Sequence, residues 1–152
     1  MSLDVTIKPE RADHPQVMAL LDALDRYLGE LYEPEANHIL SIEELLAPEI
    51  SFFVARDRNR IVGTGAVRRR DGYGEIKRMY VDPALRGQRL GSRLLATLEA
   101  TMRAQGLPLA RLETGEAQRE AVRLYERCGY TRCAAFGGYP DNGLSLFFEK
   151  TL

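Results

Sequence analysis

Tryptophan is absent from this 152-residue sequence, and cysteine and histidine are scarce, with two of each. Cys128 and Cys133 do not form a Cys-x-x-Cys pair, and no sequence feature sets either beside His14 or His38. A zinc site, a redox dithiol and a Cys–His nucleophile are therefore not indicated, and no metal is expected. Long apolar runs are also missing: no stretch approaches the ~20 residues of a membrane span. The chain turns polar by its fourth residue, unlike a secretory signal. The expectation is a cytoplasmic protein with free thiols and no membrane partner. Finally, the sequence lacks an excess of either charge, with 21 basic and 22 acidic residues and a net charge of −1. That argues against a nucleic-acid partner held by phosphate attraction.

Hydrophobic residues make up 45% and charged residues 28%, the balance of an ordinary globular domain. The length suits one domain, expected over residues 4–152, with a core large enough to need no staples. Basic residues gather locally at Arg68–Arg70, Lys77–Arg78 and Arg86–Arg89. On a nearly neutral chain such a patch suits a small anionic ligand.

Val5 and Ile7 alternate with polar neighbours and predict a first strand. Asp13, Pro15 and the helical spacing from Val17 to Leu31 predict a helix capped by Asp13. Ser41-Ile-Glu-Glu44 has capping-box spacing, so a short second helix is expected before Pro48. Ser51–Arg56, Ile61–Arg69 and Glu75–Val81, separated by short turn signals, predict an antiparallel meander. Leu94, Leu95, Leu98 and Met102 mark the stripe of a helix from Gly91 to Gln105, ended by Gly106 and Pro108. A strand at Leu109–Thr114, a helix through Tyr125 to Gly129, and strands at Tyr130–Ala135 and Leu144–Lys150 complete the order. The fold class is α/β of the α+β type: a mixed, mainly antiparallel sheet of about seven strands with helices on both faces.

The segment Met79-Tyr-Val-Asp-Pro-Ala-Leu-Arg-Gly-Gln-Arg-Leu-Gly-Ser92 carries the chemistry, because a strand leads through a loop into a helix start. Unpaired amides and the helix dipole favour an anion there, glycine admits close approach, and arginine supplies charge-assisted bonds to phosphate. Neither the Walker pattern nor the Rossmann fingerprint is present. The loop is built like a pyrophosphate cradle.

Arg86-Gly-Gln-Arg-Leu-Gly91 resembles the Gln/Arg-x-x-Gly-x-Gly/Ala signature of the GNAT superfamily of N-acetyltransferases. Arg89 replaces the middle glycine; arginine is tolerable there if the local φ is negative, and it adds a phosphate-binding charge. Ile76–Pro83 is similar to the family strand before the cradle, and Glu120–Tyr130 to its helix and following strand. Leu112-Glu-Thr-Gly115 with Gln118 resembles a bacterial branch of that superfamily.

The resemblance implies acetyl-coenzyme A as donor. Met79, Tyr80, Val81, Arg86, Gly87, Gln88, Arg89, Leu90, Gly91, Ser92 and Tyr125 are the expected donor site. Met79 and Val81 would pair with the pantetheine arm, and the Met79 amide would polarise the carbonyl. Tyr125 would protonate the departing thiolate. Glu75 is the first candidate base and Glu113 the second. Tyr27, Tyr32, Tyr80, Tyr139 and the loop Gly137–Gly143 are expected near the acceptor, whereas His38 reads as a surface residue. A small-molecule amine is the first reading of the acceptor; a protein or peptide amine and a non-catalytic acyl-CoA sensor are the alternatives. A homodimer through an edge at Phe147-Phe148 is a further expectation.

Overall fold

Three consecutive apolar runs between residues 50 and 81 pair as an antiparallel meander, and the rest of the sheet is built out from it. The computed structural model describes residues 4–31, 40–140 and 143–152. Its elements are β1 (Val5–Pro9), α1 (Pro15–Leu31), α2 (Ile42–Leu45), β2 (Ile50–Asp57), β3 (Arg60–Arg69), β4 (Gly74–Val81) and a 3-10 turn (Pro83–Leu85). There follow α3 (Leu90–Ala104), β5 (Leu109–Gly115), α4 (Arg119–Arg127), β6 (Thr131–Arg132) and β7 (Ser145–Thr151). The sheet order is β1-β2-β3-β4-β5-β7-β6, and β4–β5 is its one parallel pair. The expected mixed sheet and order of elements are present.

Strand alternation divides the core in two. Phe52 and Val54 of β2 pack with Val17 and Leu21 of α1 and Leu45 of α2. Phe53 points the other way, into a cluster with Leu95, Leu98 and Met102 of α3, Leu112 of β5, Tyr125 of α4 and Phe148 of β7. Leu94, Leu95, Leu98 and Met102 are all 0% exposed, so each contributes about 2 kcal/mol of burial. The stripe that predicted α3 is the face that anchors it.

At Ser41 the capping box forms as expected: its hydroxyl accepts from the Glu44 amide, and Glu44 accepts from the Ser41 amide, both at 3.1 Å. The cap of α1 differs from expectation. His14 Nδ1 accepts from the Gln16 amide at 3.2 Å, while Asp13 turns away to pair with Arg11 at 2.9 Å. A guanidinium two residues away outcompetes the helix amides for that carboxylate.

Two further expectations are corrected at the end of the chain. Phe147 and Phe148 are not on a sheet edge: β7 lies between β5 and β6, and both rings are buried. The strand expected from Tyr130 to Ala135 shrinks to Thr131–Arg132. Tyr130 instead turns inward to donate to Glu99 at 2.9 Å, a carboxylate that Lys150 also reaches at 2.9 Å. Among the described residues no helix is long and apolar enough to cross a membrane.

Candidate active site

A bulge in β4 opens the sheet. Thr64 pairs with Tyr80 but Ala66 with Lys77, so one residue of β4 is extra, and Arg78 takes φ +54° there. Thr64 Oγ1 donates to the Arg78 carbonyl at 2.8 Å. The Arg78 side chain pairs with Asp25 of α1 and donates to the Leu40 carbonyl, which fixes the bulge. β5 pairs with β4 only along Gly74–Ile76, so Met79–Val81 project past the parallel ladder.

Beyond that point lies a cleft of about 800 Å³. Met79, Tyr80 and Val81 form one wall, and Ala121, Leu124 and Tyr125 of α4 another. Arg86, Gly87, Arg89, Leu90, Gly91 and Ser92 close one end, and Leu24 and Tyr27 of α1 also line it. Gln88, named with the donor site, is exposed and outside the lining. Leu24, Ala121 and Leu124 line the cleft without having been singled out; the helical stripes that contain them were the available signal.

The cradle is a helix start without a side-chain cap. The first-turn amides of α3 therefore remain for an anion. Gly87 has φ +85°, the conformation that glycine adopts at least cost. Arg89 has φ +63°, so the condition under which arginine sits there without strain is not met. The loop needs a left-handed residue immediately before α3, and here arginine occupies it under strain. Arg86 reaches across to Glu120 of α4 at 2.8 Å. Gly91 lines the cleft, and a Cβ on it would come within 2.8 Å of Leu124 Cδ2. The glycine also lets α3 pack closely on α4.

Tyr125 is 5% exposed and its ring packs against Tyr130 and Phe148. Its hydroxyl has no hydrogen-bond partner among the described residues. Burial pushes it well above the usual phenol range, so it stays protonated.

The two carboxylates lie elsewhere. Neither lines the cleft; both sit around Tyr139. Glu75 is 0% exposed, and the Tyr139 hydroxyl donates to its Oε2 at 2.6 Å. Lys77 Nζ is 3.4 Å from that oxygen and donates to the Tyr139 hydroxyl at 2.8 Å. Arg70 Nε is 3.7 Å from Glu75 Oε1. Glu113 accepts from Ser145 Oγ at 2.7 Å. Burial and the bond to Glu75 push the Tyr139 hydroxyl upward. Phe136 and Phe147 flank the Tyr139 ring. Tyr32, His38 and residues 141–142 of the glycine-rich loop lie outside the described residues.

The model of the Acetyltransferase (GNAT) family matches residues 17–130. This chain belongs to the GNAT family. The IAA acetyltransferase of Azospirillum brasilense is 44% identical to it over 151 residues, spanning 98% of this chain and 99% of that protein. A solved structure from Klebsiella pneumoniae subsp. pneumoniae, provisionally named an acyl-CoA N-acyltransferase, is 37% identical, covers 98% of both chains and superposes with a TM-score of 0.85. PaiA N-acetyltransferase of Thermoplasma acidophilum, solved in complex with coenzyme A, is 17% identical with a TM-score of 0.77 over 99% of this chain and 100% of that one; it shows the shared fold.

This GNAT protein is an N-acetyltransferase that uses acetyl-CoA as donor. The cleft fits that donor on its own evidence: an uncapped helix start, two arginines and the strand segment past the β4–β5 ladder line one continuous space. Acetyl-CoA supplies a thioester, an acyl group already activated for attack by an amine.

Proposed function

We propose that the chain acetylates a primary amine on a small molecule by direct attack. The amine nitrogen bonds to the acetyl carbon, the carbon–sulfur bond breaks, and the sulfur leaves as a thiolate. One proton must leave the amine and one must reach the sulfur. Tyr125 carries this reading: a protonated hydroxyl lines the cleft with no competing partner among the described residues. It is assigned as the proton donor to the thiolate. The Met79 amide, on the strand wall of the cleft, is assigned to the carbonyl oxygen as charge develops there.

Glu75 is assigned as the base, acting through ordered water, with Glu113 as second candidate. A free alkylamine holds its proton with a pKa near ~10, so a carboxylate near its path is needed at neutral pH. The small-molecule assignment rests on the covering of Glu75, which is 0% exposed beneath Tyr139. A covered carboxylate suits an acceptor that enters whole better than the side chain of a folded protein. Two free thiols fit a reducing, cytoplasmic setting.

The experiment is a thiol-release assay with acetyl-CoA against a panel of small amines and of peptides, repeated with Tyr125→Phe. Turnover of small amines that falls steeply in the variant supports the proposal. Acetylation of peptides alone would overturn the acceptor class. Acetyl-CoA binding without turnover of any amine would favour a sensor.

A further inference from the structure

Among the described residues, two buried side-chain atoms lack a hydrogen-bond partner: Glu75 Oε1 and Arg111 Nε. One accepts and the other donates. They belong to residues that face each other in register on the parallel β4–β5 pair, Glu75 opposite Arg111. Paired strands lie about 4.8 Å apart, so the two positions are immediate neighbours. Each orphaned group leaves a desolvation cost that a ligand or water bonding to it would remove.

Arg111 is unusual in its surroundings. Its guanidinium lies over two aromatic rings, with Cζ 4.9 Å from the Tyr73 centroid and 5.5 Å from that of Phe136. Contact with both rings restricts the guanidinium. No carboxylate pairs with it among the described residues. Arg70 and Lys77 already lie against Glu75, and Glu113 accepts from Ser145. Arg111 is thus a half-buried, restricted cation without an anion, beside a fully buried carboxylate with one open oxygen.

We propose that the acceptor is an amine that carries a carboxylate at its far end, bound by Arg111, with the amine reaching along β4 toward Met79. The inference rests on the small-molecule reading above and narrows it to acids whose amine lies several bonds from the carboxylate. The fork binds a carboxylate through two parallel bonds, which a neutral or cationic tail cannot accept. Met79, assigned to the reacting carbonyl, lies four residues along β4 from Glu75, up to about 13 Å at ~3.3 Å per residue. A spacer of several bonds, or an aromatic ring stacked near Tyr73 and Phe136, therefore separates amine from carboxylate.

The test compares matched amines with and without the carboxylate: 6-aminohexanoate with pentylamine, and 4-(aminomethyl)benzoate with benzylamine. Acetyl-CoA is held saturating, initial rates are read by thiol release, and binding to the coenzyme A complex is read by calorimetry. The carboxylate members are expected to win by about tenfold or more in kcat/KM, as one charge-assisted pair implies. Arg111→Met should bring each pair within about twofold, chiefly through the acceptor KM, and leave coenzyme A affinity unchanged. Arg111→Lys keeps the charge but not the fork, and should recover part of the preference. Equal turnover of each pair by the unaltered enzyme would overturn the inference, as would an Arg111→Met variant that keeps the preference. If no amine turns over but the carboxylates bind and lose binding in Arg111→Met, the catalytic reading fails and this one stands. If no carboxylate binds, this one fails.

Discussion

Gly91 lies directly under Leu124, so a β-carbon at residue 91 would come within 2.8 Å of the leucine Cδ2. The glycine sets the distance between α3 and α4, and Leu124 is followed by the proposed proton donor, Tyr125. Gly91→Ala should therefore push the half-buried Leu124 side chain aside, at a stability cost of about 1 kcal/mol, and weaken coenzyme A binding by displacing one wall of its cleft. Leu124→Ala in the same chain should restore both, because it removes the clashing atoms. Thermal unfolding and calorimetry on the two single variants and the double variant decide it. Lost binding with unchanged stability and no rescue would return Gly91 to direct contact with phosphate.

Arg89 poses the opposite problem, a side chain where the backbone favours glycine. At φ +63° it bears a cost of about 1–2 kcal/mol while placing a charge on the cleft. Arg89→Gly should raise stability by up to about 1 kcal/mol and yet weaken coenzyme A by roughly tenfold, the loss of one charge-assisted contact. Arg89→Ala should lose the affinity without gaining the stability. Urea unfolding and calorimetry in low and moderate salt check both; a charge contact predicts that the gap between variant and unaltered protein narrows with salt.

Local patterns made much of this architecture legible. The stripe at Leu94, Leu95, Leu98 and Met102 predicted α3 because four residues on one helical face have one way to be buried. The cradle could be read because its chemistry is contiguous, from Arg86 to Gly91. The bulge at Arg78 had no such signal: arginine carries no propensity for positive φ, and what holds it there is Asp25, a residue on another element. His14 displaced Asp13 as the cap only because Arg11 competes for the carboxylate. Tyr139 meets Glu75 across 64 residues of chain, so covering of the candidate base is a fact of topology alone. Arg111 reads as an ordinary strand residue in the sequence, because the adjacent rings of Tyr73 and Phe136 that its guanidinium contacts come from distant positions in the chain.

Tyr125→Phe removes one oxygen and keeps the ring contacts with Tyr130 and Phe148. The hydroxyl makes no hydrogen bond among the described residues, so stability and coenzyme A affinity should hardly change. Turnover should fall by about 10²-fold, the scale of general acid catalysis. The pH profile adds a second check. Burial raises the hydroxyl above its ordinary value near 10, so the acid form persists across the neutral and mildly alkaline range. The rate should show no alkaline decline from loss of this proton below about pH 10. A decline near pH 8 or 9 that vanishes in Tyr125→Phe would contradict a buried, protonated donor.

Tyr139→Phe tests what holds Glu75. The substitution keeps the ring beside Phe136 and Phe147 but deletes the bond to Glu75 Oε2, 2.6 Å long in the folded chain. The oxygen keeps Lys77 3.4 Å away, so stability should drop by about 1 kcal/mol, the net worth of one hydrogen bond. Glu75→Gln keeps an acceptor for the hydroxyl but strips the buried Lys77 and the nearby Arg70 of their counter-charge, so it should cost more stability than Tyr139→Phe. Activity separates the two functions. If Glu75 is the base, Glu75→Gln should lower kcat about 10²-fold, whereas Tyr139→Phe should lower it less, because the carboxylate is still present but no longer aimed. Full activity in Glu75→Gln would pass the role to Glu113, and Glu113→Gln would then show the larger loss.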